Sequence, residues 1–158
     1  MMNVFYYETQ IGKIGIADNG KAITHIFFAG VDAPKNAERF LNNETPLIRE
    51  GAKQLFGYLK GDRKIFDLPL ETEGTPFQIA AWKALLTIPY GETRSYKQMA
   101  EQTGNVKAVR AIGMANNRNP IAIVIPCHRV IGANGKLVGY GGGLHIKEWL
   151  LSLEKQYR

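Results

Sequence analysis

The first 72 residues alternate between apolar and polar positions as the strands of a small sheet do. Apolar runs at Ile11–Ala17 and Ala22–Phe28 are separated by a turn that contains Asn19-Gly20. Asn-Gly supplies the positive φ angles of a type I′ turn, so the pattern predicts a β-hairpin. Further strands are expected at Phe5–Tyr7 and at Arg63–Leu70.

One helix is predicted in this first half. Thr45 is a good N-cap, Pro46 suits the first helical position, and Gly61 ends the segment. The apolar face of the helix consists of Leu47, Ile48, Ala52, Leu55, Phe56 and Leu59. No acidic cluster, glycine-rich phosphate loop or repeat accompanies these elements. Residues 1–72 are therefore predicted to be a small α/β scaffold domain without chemistry of its own.

Two capping boxes open helices in the second half of the chain. Thr75–Gln78, which follows a linker at residues 71–74, begins the first of them. Ser95–Gln98 begins a shorter helix that Gly104 closes. The residues expected to be buried in the first helix are Phe77, Ala81, Trp82, Leu85 and Leu86.

A third helix is predicted from Val106 to about Asn116, with Asn105 as its cap. With the preceding helix it would form a helix-turn-helix, a motif that also occurs in proteins that never bind DNA. Lys107 and Arg110 are three residues apart and would lie on one face of this helix. Its small residues would permit either close helix packing or entry into a narrow minor groove; they are Ala108, Ala111, Gly113 and Ala115.

The only cysteine follows a run of five apolar residues. Ile121–Ile125 is predicted to be a short buried strand that Pro126 ends, so that Cys127 would lie at the mouth of the core. A lone cysteine beside aliphatic residues is most often an inert core residue. The adjacent His128 and Arg129 favour the other interpretation, because positive neighbours stabilise the nucleophilic thiolate.

A second turn and a final helix complete the chain. Gly132–Lys136 contains another Asn-Gly pair between short apolar segments, and a hairpin here would resemble the wing that follows some helix-turn-helix motifs. The glycines of Tyr140–Gly143 would let a ligand contact the backbone, or would form a flexible linker. Leu144–Tyr157 is predicted to be a helix, with Glu154 at the edge of its apolar face, where it could orient His128. The residues expected to point inward are Ile146, Trp149, Leu150 and Leu153.

Composition excludes several classes of protein. With one cysteine among 158 residues no internal disulfide can form, and the three histidines have no metal-ligand spacing, so neither a metal nor a cofactor is expected. The N-terminus lacks the basic and long apolar segments of a signal peptide, and no apolar stretch is long enough to cross a membrane. The chain is therefore expected to be cytoplasmic, without a membrane partner.

The net charge of +6 lies entirely in the second half. Residues 1–72 contain nine basic and nine acidic side chains, whereas residues 73–158 contain eleven basic and five acidic ones. Residues 94–136 alone carry seven lysines and arginines against one glutamate. A basic half joined to a neutral one indicates a domain that binds a polyanion, most simply nucleic acid, although a solvated basic face would have the same composition.

The residues around the cysteine resemble a known family. Pro126-Cys127-His128-Arg129-Val130, preceded by Ile125 and followed by Tyr140-Gly141-Gly142, is similar to the motif of the methylated-DNA–protein-cysteine methyltransferases, or O6-alkylguanine-DNA alkyltransferases. The resemblance runs from about Thr75 to Glu154 and also includes Gly91-Glu92, Ser95-Tyr96, Arg110 to Gly113, Asn119-Pro120 and Lys147 to Leu151. It implies an α+β fold, with a ribonuclease H-like N-terminal α/β domain and a C-terminal helical domain of the winged helix-turn-helix type.

The resemblance implies roles for the residues nearest the sulfur. Cys127 would be the nucleophile, and His128 would be its base, acting through a water molecule. Glu154 would hold His128 in place. Asn119 would brace the backbone of the site.

It also implies residues that bind substrate and DNA. Tyr96 would crowd the DNA phosphate that must rotate, and Arg110 would fill the gap left by a flipped base. In some relatives the residue that follows the tyrosine is larger or polar. The glycine at position 141 of this chain has no side chain, so the pocket here could accept bulkier adducts. The residues expected in the substrate pocket are Tyr96, Val130, Tyr140, Gly141 and Gly142; those expected at the DNA are Tyr96, Lys97, Lys107, Arg110, Ala111 and Gly113.

The function implied is direct reversal of DNA damage by a monomer acting on double-stranded DNA. An alkyl group would pass irreversibly from O6-alkylguanine, and from O4-alkylthymine, to Cys127 after the base is flipped through the minor groove. The thioether product has no carbonyl that water could attack, so each chain would act once.

The residues alone, without the resemblance, are also compatible with two other functions. A winged-helix DNA-binding module with a structural cysteine would keep its function in Cys127→Ala. A cysteine hydrolase would turn over an acyl substrate many times, but the histidine of such enzymes normally comes from a position distant from the cysteine in sequence.

Overall fold

The N-terminal half of the chain is built on a four-stranded sheet with the spatial order β3-β2-β1-β4. In the computed structural model, which describes residues 1–158, these strands are β1 Asn3–Thr9, β2 Gly12–Asp18, β3 Ile23–Phe28 and β4 Leu41–Asn42. Strands β1, β2 and β3 pair antiparallel in sequence order, and β4 pairs parallel with β1. The first strand and the hairpin predicted from the hydrophobic pattern are confirmed.

The turn between β2 and β3 differs from the predicted type I′ geometry. Gly20 has a φ of 90°, but Asn19 does not have the positive φ that a type I′ turn requires. The Asn19 side-chain oxygen instead accepts hydrogen bonds from the backbone N–H groups of Lys21 and Ala22, each at 2.9 Å. The side chain therefore stabilises a longer loop.

The strand predicted at Arg63–Leu70 is wrong. Only Leu70 makes a β-bridge, with Ile23, and the rest of the segment has no regular structure. The Gln54 side chain makes the backbone hydrogen bonds that a neighbouring strand would have made. Its side-chain oxygen accepts from the Asp67 N–H at 2.8 Å, and its side-chain nitrogen donates to the Asp67 carbonyl at 3.0 Å.

Helix α1, Pro46–Leu59, begins and ends as predicted. The Thr45 hydroxyl accepts a hydrogen bond from the Ile48 N–H at 3.1 Å, and Gly61 follows the helix with a φ of 85°. The Thr45 hydroxyl also donates to the buried carboxylate of Asp18 at the end of β2, at 2.5 Å. One side chain thus caps the helix and joins it to the sheet.

The chain divides into two compact units, Met1–Thr72 and Glu73–Arg158. The second unit contains α2 Pro76–Leu85, β5 Arg94–Ser95, α3 Tyr96–Gln102, α4 Val109–Asn117, β6 Val130–Ile131 and α5 Leu144–Tyr157. Both predicted capping boxes are present, at Thr75–Gln78 and Ser95–Gln98. None of the helices has the length and apolar character needed to span a bilayer.

Two predictions about these helices are wrong. Helix α4 begins at Val109 rather than Val106, because the Asn105 side chain accepts from the Lys107 N–H and closes a turn instead of capping a helix. Lys107 therefore lies before α4 and does not share a helical face with Arg110. Leu86 was expected inside, but it lies just after α2 and is 48% exposed.

The hairpin predicted as a wing is only partly formed. Its turn is present, since the Gly132 N–H donates to the Lys136 carbonyl at 2.8 Å. However, Leu137-Val138 is not a strand, and β6 pairs parallel with β5 instead. This pairing connects the residues after Cys127 to the start of α3.

Candidate active site

The segment that leads to Cys127 is a series of tight turns and not the predicted strand. The Val124 N–H donates to the Ala122 carbonyl at 2.8 Å, and the Ile125 N–H donates to the Ile121 carbonyl at 3.0 Å. Ile123 has a φ of 72°, which is rare for a β-branched residue and indicates local strain. The five apolar side chains are all buried, so packing holds this backbone in place.

Asn119 organises the turn and reaches the sulfur. Its side-chain oxygen accepts from the Ile121 N–H at 3.0 Å, and its Nδ2 donates to the Ile125 carbonyl at 2.7 Å. The same Nδ2 lies 3.3 Å from the Cys127 Sγ. Asn119 therefore hydrogen-bonds the backbone at both ends of the turn and also places a hydrogen-bond donor beside the sulfur.

Cys127, His128 and Arg129 form one turn of 3₁₀ helix. All three are buried, and Cys127 is 6% exposed. The 3₁₀ turn brings side chains that would alternate on a strand into one buried cluster.

Glu154 of α5 lies behind this turn, where it meets both basic residues. The His128 Nε2 is 2.6 Å from one carboxylate oxygen, and the Arg129 guanidinium donates to both oxygens at 2.8 and 3.0 Å. The Gly91 N–H donates to the same carboxylate at 3.0 Å. Glu154 was expected at the edge of the apolar face, but it is only 1% exposed.

Burial lowers the pKa of His128, and the charges of Arg129 and Lys147 lower it further, while Glu154 opposes the shift. Burial would raise the pKa of Glu154, but the hydrogen bonds from His128 and Arg129 and the positive charge of Arg129 outweigh it and hold the pKa well below its usual range. The site therefore contains an ionised glutamate and a neutral histidine. Because Nε2–H donates to Glu154, the ring's lone pair lies on Nδ1, where it can accept a proton.

Tyr96 and the segment after the turn at Gly132–Lys136 lie together. The Tyr96 hydroxyl donates to the Val138 carbonyl at 2.9 Å. A Cβ placed on Gly113 of α4 would lie 3.9 Å from the Tyr96 ring, and one placed on Gly139 would lie 3.9 Å from its hydroxyl. The segment continues to Tyr140, Gly141 and Gly142, which are all half-buried.

The predicted DNA-binding residues are spread over three elements. Lys97 lies on α3, Lys107 in the turn before α4, and Arg110 in the first turn of α4, and all three are exposed. Ala111 and Gly113 are half-buried on α4. The Trp82 indole N–H donates to the Ala115 carbonyl at 2.9 Å and so joins α4 to α2.

Two features of the site were not predicted from the sequence: the burial of Lys147, and the pairing of Arg129 with the Glu154 carboxylate. Lys147 is fully buried, and its Nζ donates to the carbonyls of Val130, Val138 and Gly139 at 2.6, 2.9 and 3.3 Å. The helical periodicity of α5 could have predicted that Lys147 is buried, because Lys147 and Glu154 are seven residues apart and share a helical face with Leu150. No group of three or more His, Cys, Asp or Glu side chains is arranged to hold a metal ion.

Two family models match nearly the whole chain. The 6-O-methylguanine DNA methyltransferase ribonuclease-like domain matches residues 3–72, and the DNA binding domain of the same family matches residues 76–156. These matches confirm the fold class predicted from the sequence, with a ribonuclease-like N-terminal half and a DNA-binding C-terminal half.

Curated relatives and solved structures agree with these matches. A methylated-DNA–protein-cysteine methyltransferase of Methanosarcina acetivorans is 50% identical over 149 residues, which cover 94% of this chain and 95% of the relative. The constitutive one of Bacillus subtilis is 46% identical over 152 residues, covering 94% and 92%. The Mycobacterium tuberculosis O6-methylguanine methyltransferase superposes with a TM-score of 0.93 at 43% identity, covering 100% of this chain and 95% of that one. A structure of the M. tuberculosis protein with DNA gives 0.90 at 44% identity, covering 98% and 94%.

Proposed function

The chain belongs to the methylated-DNA–protein-cysteine methyltransferase family, and on that premise we propose that it repairs DNA by taking the alkyl group of O6-alkylguanine onto its own Cys127. One observation carries the proposal. The only sulfhydryl of the chain lies in a buried turn beside a neutral histidine that is hydrogen-bonded to an ionised glutamate. This arrangement suits removal of the thiol proton and a nucleophilic attack.

The reaction is a displacement at the alkyl carbon. His128, held by Glu154, accepts the Cys127 proton, through a water molecule as the family resemblance implies. The thiolate then forms a carbon–sulfur bond while the bond between carbon and guanine O6 breaks. The electron pair of the broken bond goes to the guanine, which takes up the proton released by the thiol. Asn119 supports this step by donating a hydrogen bond to the sulfur.

The product is a thioether, which water cannot cleave under ordinary conditions. No second cysteine is present to receive the group. Each chain therefore acts once.

The target oxygen is hidden in a duplex, so the base must leave the stack, which costs a few kcal/mol. Arg110 fills the vacated space, and the small residues Ala111 and Gly113 let α4 approach the minor groove. Tyr96 crowds the phosphate that rotates. Lys97 and Lys107 neutralise phosphates, and their exposure supports this role.

The extruded base enters a pocket lined by Tyr96, Val130 and the segment Tyr140–Gly142. O4-alkylthymine presents the same chemistry, an alkyl group on a ring oxygen, and is a second substrate. Positive φ angles in this region occur at Gly139 and Gly143, on either side of Gly141. This supports a role for Gly141 in pocket volume, so that bulkier adducts such as benzyl are accepted.

The two halves of the chain divide the work. Residues 73–158 form the DNA-binding and alkyl-acceptor domain, since every residue of the site lies there, and residues 1–72 form a scaffold domain. The protein acts as a monomer, because one cysteine suffices for one transfer. It acts in the compartment that holds the DNA, the cytoplasm.

Mass spectrometry tests the reaction directly. The protein is mixed with a duplex that contains one O6-methylguanine, and both products are weighed. We expect each chain to gain at most one methyl group, on the peptide that contains Cys127, in a single burst. Cys127→Ala should bind the duplex but remain unmodified. Transfer beyond one equivalent, or to another residue, would contradict the proposal.

Arg110→Ala separates base extrusion from chemistry. Its transfer rate should fall for duplex DNA far more than for the free base O6-methylguanine, because only the duplex leaves a gap to fill. Lys97→Ala is the matched control: it should weaken binding to all duplexes and reduce the salt dependence by about one counterion. Equal losses of Arg110→Ala on both substrates would exclude base extrusion as its role.

A further inference from the structure

Helix α4 carries large apolar side chains on its outer surface. Of its three large apolar residues, only Ile112 is buried, whereas Val109 is 39% exposed and Met114 is 59% exposed. A helix that only packs on a core turns such side chains inward. Single exposed apolar residues are common on protein surfaces, so exposure alone assigns no role to Met114. The residues around it on the helix supply the further evidence.

Met114 lies between two exposed arginines. Arg110 is four residues before it and Arg118, which ends the helix, is four residues after it, so the three side chains form one exposed stripe. No acidic residue occurs between Asn105 and Arg118. The two ends of the stripe are therefore complementary to phosphate groups, and its centre is apolar. A duplex groove has the matching pattern, because its edges are phosphates and its floor consists of sugars and base edges.

The spacing along α4 relates Met114 to the extruded nucleotide. An α-helix rises about 1.5 Å per residue, so Met114 lies about 6 Å along the axis from Arg110. Neighbouring nucleotides of one DNA strand are about 3.4 Å apart along the duplex. With Arg110 in the gap left by the base, Met114 therefore reaches the groove within about two base pairs of that gap. Methionine is unbranched and flexible, and it is one of the side chains that minor-groove proteins insert between base pairs.

We propose that Met114 is an apolar wedge that enters the minor groove beside the gap filled by Arg110, and that it makes binding depend on the base sequence next to the lesion. The inference rests on the proposed function, in which α4 enters the minor groove and Arg110 replaces the extruded base. A wedge partly unstacks two neighbouring base pairs and bends the duplex towards the major groove. TA and CA steps unstack readily, whereas A-tracts are stiff. The protein thus reads base pairs through their deformability.

Duplex binding in the Cys127→Ala background, which cannot react, tests the wedge. Each duplex contains one O6-methylguanine, with either a TA step or an A-tract within two base pairs of it. With Met114 present, the TA duplex should bind about fivefold more tightly, a factor at the lower end of the cost of bending a binding site. Met114→Ala should weaken binding to the TA duplex about tenfold, the lower end of what burial of one methionine contributes. It should also bind the two duplexes equally.

Three further variants separate the wedge from other causes. Met114→Leu keeps a large apolar side chain and should retain the preference for the TA duplex, whereas Met114→Gln has a similar length but a polar end and should behave as Met114→Ala does. Leu86→Ala is the matched control, because it removes another exposed apolar side chain that lies outside α4, and it should change neither affinity. Tighter binding by Met114→Ala, or a preference for the TA duplex that persists in it, would overturn the proposal.

Oxidation by dilute peroxide locates the contact directly, since exposed methionine is converted to its sulfoxide. In Cys127→Ala, Met114 should lose most of its reactivity when the TA duplex is bound. Met1, which is 93% exposed and lies in the first half of the chain, should react equally with and without DNA. Duplex binding without protection of Met114 would overturn this inference and leave the proposed function intact. Failure to bind any duplex would contradict both.

Discussion

The two halves of the chain differ in how they bury polar side chains. In the first half, Asp18 is the only buried residue with an acidic or basic side chain (Asp, Glu, Lys, Arg or His), and its partners are uncharged: the Asn3 amide, the Thr45 hydroxyl and the Gly20 N–H. In the second half four ionisable residues are buried around one cysteine; they are His128, Arg129, Lys147 and Glu154. Burial of a carboxylate is therefore not in itself a sign of chemistry.

The partners of the two buried carboxylates explain the difference. Asp18 and Glu154 are both 1% exposed. Asp18 joins β1, β2 and the start of α1, so its hydrogen bonds stabilise the fold. Glu154 meets a titratable histidine and an arginine, so its hydrogen bonds also decide which groups near Cys127 are charged.

The largest effect should follow from removing the charge of Glu154. Glu154→Gln leaves Arg129 buried without its counter-ion and His128 without an ionised acceptor. We expect the methyl-transfer rate of the folded protein to fall by about a hundredfold, the lower end of what a positioned base contributes. The free energy of unfolding should fall by about 3–5 kcal/mol. Single-turnover kinetics and urea unfolding measure the two quantities.

Asp18→Asn is the matched control in the first half. It should lower the free energy of unfolding by about 1–3 kcal/mol through lost hydrogen bonds, with no change in the transfer rate per folded molecule. If both variants reduced the rate equally, the contrast between the two carboxylates would be false.

The pH dependence of stability should come mainly from the second half. The pKa of His128 is lowered on folding, so below its unfolded value of about 6.5 the unfolded chain binds a proton that the native protein excludes. Stability should therefore fall as the pH drops below about 6.5, by up to about 1.4 kcal/mol per pH unit. Glu154, whose pKa is also lowered, adds a further loss below about pH 4.3, where the unfolded carboxylate takes up a proton.

Urea unfolding between pH 5 and pH 7 measures this slope. His128→Phe removes the titrating group and should flatten it, whereas Asp18→Asn should leave it unchanged. A slope that persists in His128→Phe would place its origin in another residue.

The smallest effects concern two buried amides. Gln54 in the first half donates to and accepts from the Asp67 backbone, whereas Asn116 in the second half has no hydrogen-bond partner within the protein. Gln54→Leu should lower the free energy of unfolding by about 1–3 kcal/mol, since it leaves buried backbone groups unsatisfied. Asn116→Leu should be neutral or stabilising. Thermal unfolding distinguishes them at about 2–4 °C per kcal/mol, and the reverse order would contradict this account.

Features with a local cause could be predicted from the sequence. The caps at Thr45, Thr75 and Ser95 act within three residues, and each predicted helix start there is confirmed. The cysteine motif is likewise contiguous, and the family it indicated is confirmed by the family models and the curated relatives. The roles of individual site residues remain proposals.

Features that depend on distant partners could not be predicted. The run Ile121–Ile125 has the composition of a strand, but the Asn119 amide satisfies its ends and produces turns with a strained Ile123. Glu154 was placed at the edge of the apolar face of α5 and not in the buried interior, because the periodicity of α5 contains no information about Arg129, which lies 25 residues away in sequence. The strand predicted at Arg63–Leu70 is wrong for the same reason, because the distant Gln54 side chain, and not a neighbouring strand, hydrogen-bonds its backbone.

The single sulfhydryl of the chain has a practical consequence under the proposed chemistry. Because the thioether is not reversed and no other thiol is present, every molecule records one repair event and keeps that record until it is degraded. Thiol titration of the unfolded protein then counts the molecules still able to act, with no background from other cysteines. In a purified sample the missing fraction of thiol therefore equals the number of alkyl groups removed per chain.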